Sequence, residues 1–194
     1  LLETYGVTNP LLTSTMIRMM MEEDHEAYNL DVKVVASGGE KVAPDLHKYI
    51  REDWAATLNE IYGMTECNFV VVTNDEFVGR NWEASGRPAP GHRVEVIDDE
   101  TGEVLDDGEI GHIAVERPDP SMLLEYWNEP ERTRETFVGD WMKTGDAGSR
   151  DVDGFLHYQG RADDVIITSG YRVSPLEVEE VIREHELITD AVVV

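Results

Sequence analysis

A single cysteine, Cys67, among 194 residues excludes an internal disulfide and a cysteine-based zinc site. Its place in an apolar stretch, directly after Tyr62-Gly63-Met64-Thr65-Glu66, predicts a buried packing thiol rather than a nucleophile. Lysine is scarce too, with four in the chain. Lys and Arg together number 16 against 41 Asp and Glu, a formal net charge of −25. Tracking a phosphate backbone needs clustered cations, so no nucleic-acid partner is expected. No run reaches the roughly 18 apolar residues that would mark a membrane-spanning helix. Leu1-Leu2-Glu3 lacks a basic n-region, so no signal peptide is read and a cytoplasmic location is expected. The chain does not begin with Met and it stops inside Ala191-Val192-Val193-Val194, so both ends are expected to have been cut from something longer.

What is present is enough for a core. Apolar residues make up 41% of the chain, which argues against disorder. The acids are spread along the whole length, giving a solvated acidic surface. That spread also predicts adaptation to high salt, and hence a salt-adapted source, because dense counterions screen the self-repulsion.

The apolar pattern alternates between two periods. Residues 13–23 predict a helix whose Met16, Ile17, Met19, Met20 and Met21 form a methionine-rich core stripe. Residues 32–36 predict a short buried strand leaving into Ser37-Gly38-Gly39-Glu40. Residues 44–57 predict a helix with Pro44 near its start. Residues 58–62 and 69–73 are two more short apolar runs, so this part predicts α/β layering with a parallel sheet. From Ser85 the texture changes. Short strands at 94–98 and 110–115 are separated by Asp- and Gly-rich turns, which predicts a small antiparallel β unit. A helix at 129–137 follows, then a turn at 151–154 and a strand at 155–159. Asp151-Val152-Asp153-Gly154 has the start of a calcium loop without its later ligands, so calcium is not expected. Ser174, Pro175 and Glu177 predict a capped helix that buries Val178, Val181 and Ile182.

Four segments combine residue types that suit nucleotide chemistry. Two glycines after a strand, Gly38 and Gly39, let a backbone approach a flat ligand, though such a pair also makes ordinary turns. Tyr62, Thr65 and Glu66 offer an aromatic face for a purine, a hydroxyl for a phosphate oxygen and a carboxylate for Mg²⁺. The plainer reading is a core tyrosine and a solvated glutamate. Asp146, after Lys143-Thr144-Gly145, could accept two hydrogen bonds from a ribose diol or merely cap a turn. Gly160 to Arg172 packs Arg161, Asp163, Asp164, an apolar run and Gly170-Tyr171-Arg172 into one short stretch.

Those motifs, in that order, resemble the adenylate-forming (AMP-binding) superfamily of acyl-CoA synthetases, luciferases and peptide-synthetase adenylation domains. Ala162-Asp163-Asp164-Val165-Ile166, Ser169-Gly170-Tyr171-Arg172-Val173 and Pro175-Leu176-Glu177-Val178-Glu179 look most like the acetyl- and medium-chain acyl-CoA synthetase branch. The segment from Leu124 to Thr133 is similar to one those enzymes carry before Thr-Gly-Asp. The likeness covers nearly the whole chain but about a third of a full member.

The resemblance implies an α/β fold, α+β overall. Residues 1–82 would be the end of the α/β part of the AMP-binding domain. Residues 83–160 would be its β-rich subdomain, and residues 161–194 the hinge and the start of the small C-terminal α+β domain. It implies ATP or AMP binding by Gly38, Gly39, Glu40, Glu60, Tyr62, Asp146, Arg161 and Arg172, with Glu60 near the adenine amino group and Asp146 on the ribose. Thr65 would meet the α-phosphate and Glu66 would hold Mg²⁺. Asp163 would be the hinge, and Gly170 would leave room for the pantetheine arm of CoA. Lys143 receives no role. The implied activity converts a carboxylic or fatty acid with ATP to acyl-AMP and then passes the acyl group to CoA. The family's phosphate loop would lie before Leu1 and its catalytic lysine beyond Val194, so the isolated chain is expected to be inactive. An enzyme loading a carrier-protein thiol, or a nonenzymatic nucleotide-binding relative, stays open, as do the acid and the oligomeric state.

Overall fold

The structure is a computed structural model that describes residues 1–23, 28–39, 42–74, 77–168, 171–183, 185, 187–188 and 191–193. It is an α/β chain that divides into two compact units, Leu1–Gly63 with Phe69–Ala89, and Met64–Asn68 with Pro90–Val194. No helix among the described residues is long and apolar enough to cross a membrane.

The first unit is a four-stranded sheet with two helices. Helix α1 runs Ser14–Met21 and starts where Thr13 accepts the Met16 amide proton at 3.2 Å. Strand β1 is Val34–Gly38, helix α2 is Pro44–Glu52 and strand β2 is Thr57–Met64. Strands β3, Asn68–Val72, and β4, Arg87–Pro88, complete the order β1-β2-β3-β4. The β1–β2 pair is parallel, as the α/β pattern predicts, whereas β3–β4 is antiparallel. The core gathers Ile17, Val35, Leu46, Ile50 and Leu58.

Two details depart from the sequence reading. Helix α2 ends at Glu52 rather than near 57, because Ala55 turns the backbone to φ +51° and Thr57 already pairs with Val34. The methionine stripe is not a core stripe. Ile17 is buried and Met20 packs against the core, but Met16 and Met19 are 50% and 66% exposed. Five apolar residues in six positions wrap around an α-helix, and only those three or four apart share its inward face.

The second unit is built on antiparallel pairing. Strands β5, Val94–Ile97, β6, Gly111–Glu116, β7, Phe137–Val138, and β8, Trp141–Arg150, lie in the order β5-β6-β8-β7, and β9, Leu156–Arg161, also pairs with β8. Ile97, Ala114 and Trp141 pack together, and the Arg93 guanidinium lies 5.2 Å from the centre of the Trp141 ring. The Asp98 turn is as read: its Oδ1 accepts the amide protons of Glu100 and Thr101. The 151–154 turn is closed by Asp151, which accepts from Asp153 and Phe155 and faces His157 at 3.0 Å. Burial pushes the Asp151 pKa up, but His157 and the two amides outweigh it and hold it low. That carboxylate is committed to the turn.

Helix α3 covers Pro130–Glu135, shorter than read, because Phe137 enters β7. Strands β10, Ile166–Thr168, and β11, Tyr171–Val173, make a hairpin before helix α4, Pro175–Arg183. The Ser174 hydroxyl is donated to the Gln159 carbonyl at 2.7 Å, which ties the start of α4 to β9. The predicted buried face of α4 is not fully buried: Val181 is 64% exposed and Ile182 is exposed too.

Candidate functional site

The glycine pair closes β1. Gly38 faces Ile61 of β2, and a Cβ there would lie 2.4 Å from the Ile61 carbonyl oxygen. Close strand packing alone therefore demands glycine at 38. Gly39 follows at φ +89°. Glu40 lies outside the described residues.

Glu60 is on β2 opposite Ser37. One carboxylate oxygen meets His47 Nε2 at 2.9 Å and the other accepts the Val42 amide proton at 3.2 Å. The buried His47 ring meets Trp82 edge-on at 5.0 Å, and Arg80 lies over the same indole at 4.7 Å. Arg80 also donates to the Leu58 carbonyl and the Asn59 side chain. None of His47, Arg80 or Trp82 stands in a recognisable motif. Their meeting with Glu60 depends on three separate chain segments.

Tyr62 is half-buried on the same strand. Beyond it the chain turns. The Cys67 amide donates to the Met64 carbonyl at 3.2 Å, Thr65 is exposed and Asn68 takes φ +59° to re-enter β3. Cys67 is fully buried, as read. Burial pushes its thiol up to about 11, with the charges of Asp119, Glu66 and Asp146 adding to the rise.

Glu66 has a partner that the sequence reading missed. The Tyr126 hydroxyl donates to Glu66 Oε1 at 2.8 Å. The signal was the Leu124–Thr133 segment, which carried the family likeness without a residue-level role.

The Thr-Gly-Asp motif does not stand in a turn that Asp146 would cap. It lies within β8. Thr144 is buried and donates its hydroxyl to the Ile113 carbonyl at 2.8 Å, while accepting the Asp146 amide proton at 3.2 Å. Gly145 takes φ +79°, and a Cβ there would meet the Arg161 guanidinium at 2.7 Å. Asp146 and Arg161 stand opposite each other on β8 and β9. Their side chains pair at 2.8 Å, with Asp146 13% and Arg161 56% exposed. Tyr158 on β9 has its pKa raised, first by burial and then by the Asp146 charge.

Asp163 is exposed in a 3₁₀ turn at Ala162–Asp164, directly after β9. Arg172 is in β11, paired with Ile167. Gly170 lies outside the described residues. A cleft of about 590 Å³ in the second unit, lined by Arg117, Met122, Leu123, Pro130, Thr133 and Phe137, holds none of the predicted site residues.

Residues 1–127 match the family model described as AMP-binding enzyme. The chain belongs to the AMP-binding enzyme family. Within that family it is 34% identical, over its whole length, to the human mitochondrial acyl-coenzyme A synthetase ACSM4, covering 34% of that protein. It also resembles the amide bond synthetase McbA from Marinactinospora thermotolerans, with a TM-score of 0.84 and 32% identity over 100% of this chain and 39% of that one. The O-succinylbenzoate coenzyme A synthetase MenE from Bacillus subtilis, in complex with ATP and magnesium ion, matches with a TM-score of 0.80 and 29% identity over 96% of this chain and 38% of that one. This AMP-binding chain thus spans about a third of the length of the curated relatives it matches.

Proposed function

We propose that the chain is part of an AMP-forming acyl-CoA synthetase. ATP and a carboxylate give acyl-AMP and pyrophosphate. The CoA thiol then attacks the acyl carbon and AMP leaves. The observation that carries this reading is the Asp146–Arg161 pair on adjoining strands, in a chain of the AMP-binding family.

The residue roles follow from chemistry at each position. Asp146 accepts the two ribose hydroxyls, and Arg161 beside it faces the ribose and phosphate side. Tyr62 stacks on the adenine, with Gly38, Gly39 and Glu40 as the adjoining wall. Glu60 marks the adenine-amino side through its strand position, its carboxylate being held by His47 and the Val42 amide. Thr65, exposed on the turn, hydrogen-bonds the α-phosphate. Asp163 is the pivot between two catalytic conformations, for which an exposed turn between two strands is suited. Gly170 leaves the pantetheine path open, and Arg172 approaches phosphate oxygens in one conformation. Residues 1–82, 83–160 and 161–194 remain the proposed subdivision.

Mg²⁺ fits the donor set at Glu66. Tyr126 takes one carboxylate oxygen, and among the described residues no hydrogen bond reaches the other. A single hard carboxylate beside ATP phosphates is how Mg²⁺ is commonly held. Bound there, it would neutralise charge on the phosphate oxygens.

The test is AMP release by the complete polypeptide carrying these residues, in molar KCl with ATP, Mg²⁺ and a panel of carboxylates, with and without CoA. CoA-dependent release for one class of acid is expected. No AMP release with any acid overturns the reading and favours a nonenzymatic nucleotide binder. Pyrophosphate exchange that ignores CoA points to a carrier-protein thiol as acceptor. The McbA likeness adds an amine as the third acceptor to include in the panel.

The net charge of −25 supports a salt-adapted protein. The melting temperature is expected to rise between dilute buffer and molar KCl. A flat response removes the salt proposal and leaves the catalytic one untouched.

A further inference from the structure

We infer that residues 119–126 form a strap that aims the Glu66 carboxylate, with Tyr126 as its positioning residue. The inference rests on the proposed role of Glu66 toward Mg²⁺-bound phosphates.

Three hydrogen bonds join this strap to the Thr65–Cys67 turn. The Leu123 amide donates to the Glu66 carbonyl at 2.6 Å. The Ser121 hydroxyl donates to the Cys67 carbonyl at 2.6 Å. The Tyr126 hydroxyl donates to Glu66 Oε1 at 2.8 Å. Glu66 is therefore gripped by both its backbone and its side chain from one short segment. A free glutamate samples many rotamers, and holding one oxygen restricts where the other points.

The strap is itself anchored at both ends. The Asp119 side chain is almost fully buried, accepts the Ser121 amide proton at 2.9 Å and faces His92 Nδ1 at 2.6 Å. Its Oδ1 is also 2.7 Å from the Ser121 hydroxyl, whose one proton is shared between Asp119 and the Cys67 carbonyl. Burial pushes the Asp119 pKa up, but the Ser121 hydroxyl and amide and the His92 ring outweigh it and hold it low. At the other end the Tyr126 amide donates to Thr133 Oγ1 at 2.9 Å, and the Arg132 guanidinium lies 4.0 Å above the Tyr126 ring.

The arrangement has the form of an outer-sphere support. A neutral phenol fixes one oxygen of a carboxylate and leaves the second for the metal. Such partners tune affinity without touching the metal.

The test uses the complete polypeptide, comparing wild type, Tyr126→Phe, Glu66→Gln and the double variant. The readouts are the Mg²⁺ concentration for half-maximal AMP release, kcat, and the melting temperature. Tyr126→Phe is expected to raise the Mg²⁺ requirement about tenfold, as loss of an outer-sphere partner does, with a smaller change in kcat. In the Glu66→Gln background it is expected to have no further effect. An unchanged Mg²⁺ requirement in Tyr126→Phe, with Glu66→Gln impaired, overturns the strap inference and leaves the Glu66 reading standing. A lower melting temperature with an unchanged Mg²⁺ requirement makes Tyr126 structural only and overturns it equally. A Mg²⁺ response that Glu66→Gln does not alter removes the Glu66 reading, and the strap inference falls with it.

Discussion

Asp146→Ala is expected to lower AMP-forming turnover of the complete polypeptide by two to three orders of magnitude while leaving it folded. The two effects come from different interactions. A ribose diol bound by one carboxylate makes two charge-assisted hydrogen bonds, each worth about 1.5–3 kcal/mol. Losing about 3–4 kcal/mol of binding to the reacting nucleotide corresponds to roughly a 100- to 1,000-fold fall in rate. Folding loses much less. The Asp146–Arg161 pair has a guanidinium that is 56% exposed, and pairs so open to water contribute at most about 1 kcal/mol. The measurement is AMP release against ATP concentration, with a thermal melt on the same sample. A folded variant with near-normal turnover would reduce Asp146 to a cross-strand partner of Arg161. Asp146→Asn, which can still make one of the bonds, is expected to fall between the two.

The largest effect on stability is expected at Gly86→Val. Gly86 takes φ +122°, a conformation in which side chains are strongly disfavoured. A Cβ there would also lie 2.3 Å from the Val72 carbonyl oxygen and 2.5 Å from the Val72 carbonyl carbon. Both obstacles are backbone atoms of β3, so no rotamer change relieves them. The next two residues are β4, paired with Val71 and Val72, and the clash would separate that pair. Strain and lost pairing together predict about 3–5 kcal/mol of destabilisation. Gly108→Ala is the control. It has a similar positive φ of +87° but open space around its Cβ position, which predicts about 1 kcal/mol. Urea unfolding of both variants checks the contrast. Equal destabilisation would mean that steric contact with β3 contributes nothing at Gly86.

What could be read in the sequence was local. Thr13 opening α1, Pro44 opening α2 and the Asp98 turn follow from hydrogen-bonding and φ preferences within a few residues. The family likeness came from motifs of the same short range. Strand β8 escaped because Gly145, Asp146 and Gly148 interrupt its apolar alternation, and the strand survives through pairing with β6 and β9. The methionine stripe was misread because periodicity does not say how wide the buried face is. Tyr126 was invisible as a partner because sixty residues separate it from Glu66. The sequence likewise gave no hint that Glu60 would be shared between His47 and the Val42 amide. Burial and long-range pairing decide such contacts, and neither is a property of a short window.

The elevated Cys67 pKa has a chemical consequence under the proposed reaction. Acyl adenylates acylate thiolates readily, and a thiolate beside Glu66 would compete with the intended acceptor. Burial pushes the Cys67 thiol up to about 11, which favours the protonated form at neutral pH. Its full burial removes access as well. Were the proposed thioester-forming reaction to run, protonation and packing together would disfavour acylation of the chain's own sulfur.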